Sequence, residues 1–540
     1  MRRLLFAVPV VGLALATVMV GPARASERDT SDHSQSGDGA SAIKHLVVIY
    51  DENHSFDNLY GLWPGVSGIS SPASSTPHQT QLDQWGSAYS CLMQNDPHLT
   101  SPPLSATCTD PRGFSSHFTN QPFAIDPYIA QNQKTEDLVH RYYQQQYQIH
   151  GGAMDRFTQA SDATGLTQGY YDTTQLPVYK YLTGAGAPPS VVADHFFQGA
   201  FGGSFLTHQW LIAAQTPVFA GADNSGGAND LHSVVDANGM PASTPLYTSP
   251  LGASVKDKAL TASCSPAAGR PATPAGVVCG DYAVNTVQPS SQPYSPTSSP
   301  ATRLPLLTSS NIGDSLSAKK LSWGWYAGGW DNAAGNTTGA GWTNGSTPGT
   351  CADPNHNTAD VYPYCGDKLF QYHHQPFNYF ANYAQNGSGR SHLKDEKDFL
   401  AAVSGGTLPA VSFVKPMGAE NEHPGYTDVT SGEQHLVDLL KALKSSPAWS
   451  STAVVVTYDE NGGFWDHVSP PTKQGVSDQW GPGTRVPTLV VSPLLSKTGV
   501  THTSFDTTSI LSTIEKRWDI DPLSTRDAAV HSLLGLFKDN

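Results

Sequence analysis

The sequence predicts an α/β fold: a central, mostly parallel sheet flanked by helices, carrying loop-rich insertions or a cap. Two observations carry this. Short apolar runs rich in β-branched residues alternate with stretches of helical period, the pattern of strands joined by crossover helices. Two of those runs also stop abruptly in acidic turns. Ile43–Tyr50 runs into Asp51-Glu52-Asn53-His54-Ser55, and Ala453–Tyr458 runs into Asp459-Glu460-Asn461-Gly462-Gly463. Ligands of open α/β sheets bind just beyond the carboxyl ends of the strands. Both acidic turns are therefore expected at one binding edge, because sheet neighbours need not be sequence neighbours.

Taken in order, Met1-Arg2-Arg3, the apolar run Leu4–Val20 and Ala23-Arg24-Ala25 read as a signal peptide over residues 1–25. A secreted, extracellular protein is expected, by the general or the twin-arginine route. Residues 26–42 are polar and read as a disordered leader. Residues 43–540 are expected to form one domain that carries this binding edge. Val66–Thr119 reads as loop, and Thr135–Phe157 as a helix that gives way to turns. Leu176–Leu182 enters a helix, and Gly202-Gly203-Ser204 suits a tight turn at a helix start. Residues 222–311 are rich in Ser, Pro and Thr and read as an irregular insertion. The last third supplies strands at Leu408–Val414 and Val486–Val491 and a helix at Thr508–Trp518. Another helix spans Glu433–Lys444, with Leu436, Leu439, Leu440 and Leu443 at helical spacing.

The formal charge of -15 excludes nucleic acid as the main partner, since backbone-phosphate binders present a basic face. The six cysteines fall into close pairs, Cys91 with Cys108, Cys264 with Cys279 and Cys351 with Cys365, expected as local disulfides in an oxidising compartment. Trp330 and Trp342 are candidates for transient membrane-surface contact, with packing against Gly-rich loops as the alternative.

Glu52, Asn53, Asp459 and Glu460 offer hard oxygen atoms. Neither acid pair contains histidine, which favours calcium or magnesium over zinc. Ser204 is the best-placed hydroxyl nucleophile, its oxygen expected as a further ligand of the cation. On local sequence alone Ser204 also reads as a plain helix N-cap. Among the histidines, His423 lies in an acid-rich, Pro-ended turn between core elements, while His140, His373-His374 and His467 lie near the other blocks. Such imidazoles bind phosphate oxygens or protonate a leaving alkoxide.

Three blocks, Glu52-Asn53-His54-Ser55-Phe56-Asp57-Asn58, Asn421-Glu422-His423-Pro424 and Thr457–Val468, resemble the signature blocks of the phosphoesterase family. Gly481–Pro487 with Ser492-Pro493, and Thr507–Leu511 with Ile514-Glu515, resemble its C-terminal blocks. That family joins bacterial and plant non-specific phospholipases C with bacterial acid phosphatases. The resemblance implies an alkaline-phosphatase-like α/β fold and metal ligands at Glu52, Asn53, Asp459 and Glu460. It also implies a hydroxyl nucleophile, carried to Ser204 with Thr207 as the alternative, and phosphate-contacting histidines at His423, His140 and His374. The expected activity is a metal-dependent phospholipase C acting through a phosphoseryl intermediate. The alternatives are an acid phosphatase on soluble monoesters and a non-catalytic secreted binding protein.

Overall fold

In the computed structural model the described residues are 41–69, 76–219, 234–236, 254–256, 282–294, 298–334 and 370–538. The signal peptide, the leader up to residue 40, most of the 222–311 insertion, the Cys264–Cys279 and Cys351–Cys365 pairs and Trp342 lie outside them.

The elements that position the site begin with strand β1 (His45–Asp51) and the short helix α1 (Phe56–Tyr60). Next come α2 (Tyr142–Ile149), α3 (Pro177–Thr183), β2 (Ser190–Ala193) and α4 (Ser204–Ala213). Then follow β3 (Trp323–Ala327), β4 (Leu393–Asp395), α5 (Glu396–Gly405), β5 (Val411–Lys415) and α6 (Val429–Ser445). Strands β6 (Thr452–Tyr458), β7 (Thr488–Val491) and β8 (Gly499–Thr501) and helix α7 (Thr508–Trp518) complete the set. The eight strands make one sheet in the order β4-β3-β5-β1-β6-β7-β2-β8. Strand β7 runs antiparallel to both its neighbours, and every other pairing is parallel.

Strand β1 sits mid-sheet between β5 and β6, its register running Leu46 beside Val411 and Ala453. This explains the unbroken apolar run in β1, since a strand covered on both faces has no solvent side to alternate toward. Helix α6 begins at Asp428, whose side chain accepts the Ser431 N–H, and buries Leu436, Leu439, Leu440 and Leu443. Each such leucine contributes about 1.5–3 kcal/mol by leaving water. It packs with α3 and α5, while α4 packs with α7. All ten residues of α4 are buried, so this helix lies inside the protein.

Two predicted strands are shorter at their starts than the apolar runs. The Leu408–Val414 run becomes a strand at Val411, and Val486–Val491 at Thr488. Pro409 and Pro487 stand at those starts, and a proline has no N–H to give the ladder. The loop region after β1 contains a small hairpin, Cys108–Asp110 with Phe114–Ser116, beside the Cys91–Cys108 disulfide. Trp330 is buried, with the Arg390 guanidinium 4.7 Å from its ring and Phe370 5.6 Å away, so it packs inward. Among the described residues no helix is long and apolar enough to cross a membrane.

Candidate active site

Three adjacent strands end at the same edge and place the acidic side chains. Glu52 and Asn53 follow β1, Asp459 and Glu460 follow β6, and Lys415 closes β5. The turns are held tightly together. Asn53 adopts a left-handed backbone (φ 57), which asparagine tolerates better than most residues, and its N–H donates to Asp459 Oδ1 at 3.2 Å. Gly462 is required opposite it, because a β-carbon there would meet the Asn53 carbonyl oxygen at 2.2 Å.

Ser204 arrives from another direction. Gly203 is the N-cap of α4 and Ser204 its first helical residue; no side chain caps this helix. The N-cap reading of Ser204 is therefore incorrect. Its hydroxyl is turned instead toward Glu52 Oε2 (3.2 Å), Glu460 Oε1 (3.4 Å) and Asn53 Oδ1 (3.5 Å). Gly202 permits the approach: it has φ 95, and a β-carbon there would strike Tyr142 N at 2.6 Å. Thr207, the alternative nucleophile, gives its hydroxyl to the Ser204 carbonyl at 3.1 Å.

The Asn53 amide reports on what this cluster holds. His423 Nδ1 lies 2.7 Å from the Pro424 carbonyl, which requires a proton on Nδ1. A neutral His423 then presents a bare Nε2, and Asn53 Nδ2 donates to it at 2.7 Å. This assigns the other end of the amide. In this orientation Asn53 Oδ1 faces Glu52 Oε2 and Asp459 Oδ1 at 3.0 Å each and Glu460 Oε1 at 3.3 Å; the swapped amide would donate to all three carboxylates but needs a second proton on His423, whose ring burial keeps neutral. Oxygen atoms this close repel unless a cation lies among them. Asp459 Oδ2 is in addition buried without a hydrogen-bond partner. Three buried carboxyl groups, an amide oxygen and a hydroxyl suit a hard divalent cation.

The electrostatics agree. Burial lifts Glu52, Asp459 and Glu460 above the usual carboxylate range, and the charge of Asp459 adds to the shift at Glu52 and Glu460. Lys415 opposes it at Glu52, as an ion pair with Glu52 Oε1 whose ammonium also donates to the Tyr50 carbonyl at 2.9 Å. One lysine cannot balance three carboxylates.

Two imidazoles face the same space. His140 Nδ1 is anchored on the Leu138 carbonyl, leaving Nε2 3.2 Å from Glu460 Oε1 and 3.3 Å from Asn53 Nδ2. The His140 and His423 ring centroids are 5.8 Å apart. Burial holds both below the ordinary histidine range, His140 at about 3. His374 is placed differently from these two. It lies behind Glu52, with Nδ1 3.2 Å from Oε1, and stacks on His208 at 4.7 Å.

Sequence reasoning missed Lys415 and His208. Lys415 obeys the rule that exposed Glu52, a polar residue at the carboxyl end of an apolar strand. His208 lies one helical turn after Ser204 and bonds its carbonyl at 2.7 Å, a spacing that α4 alone could have suggested. His467, by contrast, pairs with Asp57 rather than with the oxygen cluster.

The chain belongs to the Phosphoesterase family, whose pattern matches residues 43–521. It is 38% identical over 164 residues to phospholipase C B of Mycobacterium tuberculosis, across 26% of this chain and 31% of that protein. It is 39% identical over 140 residues to a non-hemolytic phospholipase C of Burkholderia pseudomallei, across 22% of this chain and 20% of that protein. The chain thus spans less than a third of either relative's length in these alignments. A solved protein in the alkaline phosphatase superfamily from Vibrio parahaemolyticus overlays 40% of this chain and 49% of its own, at 12% identity and a TM-score of 0.22. The reading of the fold rests on the sheet order given above.

Proposed function

We propose that this protein is a secreted phosphoesterase of the phospholipase C type, with Ser204 as nucleophile. The observation that carries the reading is the Ser204 hydroxyl set among the oxygens of Glu52, Asn53 and Glu460. Glu52, Asn53, Asp459, Glu460 and Ser204 would hold a calcium or magnesium ion. When bound, the ion supplies Lewis-acid stabilisation of charge on oxygen.

Ser204 Oγ sheds its proton to the carboxylate oxygens facing it and attacks phosphorus in line. A new Oγ–P bond forms as the bond from phosphorus to the diacylglycerol oxygen breaks. His423 or His140, whose bare Nε2 atom faces this space, takes that proton from the carboxylate and passes it to the leaving oxygen. Water then attacks the phosphoseryl group, freeing Ser204 and releasing the phosphorylated head group. The helix start at Ser204 adds the partial positive charge of unpaired N–H groups beside the forming oxyanion. Lys415 and His374 hold Glu52 by its second oxygen, so that Oε2 stays aimed at Ser204.

The test is turnover of phosphatidylcholine vesicles beside p-nitrophenyl phosphate, with magnesium or calcium supplied. Release of diacylglycerol and phosphocholine is expected. Ser204→Ala, Glu52→Gln and Asp459→Asn should each lower the rate by at least about 100-fold with circular dichroism unchanged. Hydrolysis of the monoester alone would establish the acid phosphatase instead, and inactivity toward both would establish a binding protein.

A further inference from the structure

Arg141 lies against the nucleophile turn. A β-carbon on Gly203 would sit 3.3 Å from Arg141 Nη1 and 3.4 Å from His140 Cδ2. The side chain is half-buried, and its Nε is buried without a hydrogen-bond partner. Its positive charge acts on Glu460, His140 and His373, so the guanidinium is a near neighbour of the cradle.

Buried arginines ordinarily spend their donors on carboxylates. Arg485 does so, on Asp57 and Asp466. Asp137 and Asp162 stand close enough to Arg141 to feel its field. Yet Asp137 Oδ1 is itself buried without a hydrogen-bond partner, and Asp162 Oδ1 accepts the N–H groups of Val139 and Ala163. A guanidinium is thus held against the turn that carries Ser204, with donor capacity in hand among the described residues.

The charge balance says what it would meet. A divalent cation with Lys415 offsets Glu52, Asp459 and Glu460, leaving the cradle neutral. A phosphoester then brings uncompensated negative charge, and the histidines beside it are neutral through burial. We infer that Arg141 is a substrate-binding residue whose guanidinium receives a non-bridging oxygen of the phosphate group. This rests on the phosphoesterase reading for its substrate, but its binding test is independent of turnover. A planar fork of N–H donors matches phosphate better than a point charge does.

The experiment measures orthovanadate binding to the magnesium-loaded full chain by calorimetry, for wild type, Arg141→Gln and Arg141→Lys. Magnesium content and thermal melting are recorded alongside, with kinetics on p-nitrophenylphosphorylcholine. Arg141→Gln should weaken vanadate about 10- to 100-fold, the worth of a charged hydrogen bond, and lower kcat/KM by a similar factor, with magnesium content kept. Arg141→Lys should fall between the two, and it decides the matter if the glutamine variant does not fold. Wild-type vanadate affinity in the folded variants, or no vanadate binding by any form, overturns the inference. Arg141-dependent vanadate binding without ester hydrolysis would uphold Arg141 and remove the catalytic reading. Turnover insensitive to Arg141 would do the reverse.

Discussion

Two buried acid clusters bridge the turns that follow β1 and β6, and they balance their charge in opposite ways. In the first, Arg485 Nη2 donates to Asp57 Oδ1 at 2.9 Å and Nε to Asp466 Oδ1 at 2.8 Å. Its Nη1 goes to the Ser67 and Asp194 carbonyls at 2.7 Å each, and His467 Nδ1 takes Asp57 Oδ2 at 2.6 Å. Each charge there has a partner in the chain. In the second, the cations among the described residues are Lys415, paired with Glu52, and Arg141, whose charge reaches Glu460; Asn53 Oδ1 faces three carboxylate oxygens, and Asp459 Oδ2 has no hydrogen-bond donor there. The first cluster is a bolt completed by folding. The second has the charge balance of a binding site. Burial alone does not mark a functional acid; the absence of a matching cation in the chain does.

Breaking the bolt should give the largest stability effect. Arg485→Met leaves two carboxylates buried without their cation, a loss of about 3–5 kcal/mol, read from urea unfolding of the metal-free protein. The cradle should respond in the opposite sense. Asp459→Asn in chelator removes repulsion and should leave stability unchanged or raised. A destabilisation as large as that of Arg485→Met would mean the cradle is structural.

Cation binding sharpens the contrast next. Magnesium or calcium at a hundred times its dissociation constant should stabilise wild type by about 2.7 kcal/mol and leave Asp459→Asn unmoved, as followed by thermal melts.

The bolt should also carry a pH signature. Burial opposes the charge on Asp57, yet His467 and Arg485 hold it below the ordinary carboxylate range; burial likewise opposes the charge on His467, yet Asp57 and Asp466 raise it. A lowered carboxyl contributes stability above about pH 4, lost as pH falls through its folded value. A raised histidine contributes fully below about pH 6.5, lost as pH rises through its folded value. The stability advantage of wild type over His467→Gln should therefore shrink as pH climbs beyond about 6.5. A constant difference up to pH 9 would show His467 uncharged in the bolt.

The smallest effect belongs to an exposed pair. Lys441 and Asp438 approach to 3.4 Å with both side chains more than half exposed, and Lys441→Ala should change stability by less than about 0.5 kcal/mol.

The parts of this arrangement readable in the sequence are those that local pattern controls. The β-branched runs of β1 and β6 and the acids that end them are legible because a covered strand gains nothing by ending in charge unless that charge is used. Lys415 obeys the same rule but passes for an ordinary surface lysine when its neighbour strand is unknown. The strand order and the reversed direction of β7 leave no local trace, since parallel and antiparallel partners are equally apolar in a covered sheet. The orientation of Ser204 is hidden for a similar reason: a serine after two glycines suits a cap, and only the packing of Gly202 on Tyr142 turns it toward Glu52. Arg485 joins Asp466, 19 residues before it, to Asp57, 428 residues before it, a bridge that only the folded chain makes visible.

The central claim is that one cation and one phosphorus atom meet at Ser204. A crystal grown with manganese and orthovanadate, with diffraction collected at the manganese edge, tests it most directly. A single anomalous peak among the oxygens of Glu52, Asn53, Asp459 and Glu460, with vanadium bonded to Ser204 Oγ, is the predicted result. A cluster without manganese, or vanadate seated on Thr207 or elsewhere, would contradict it.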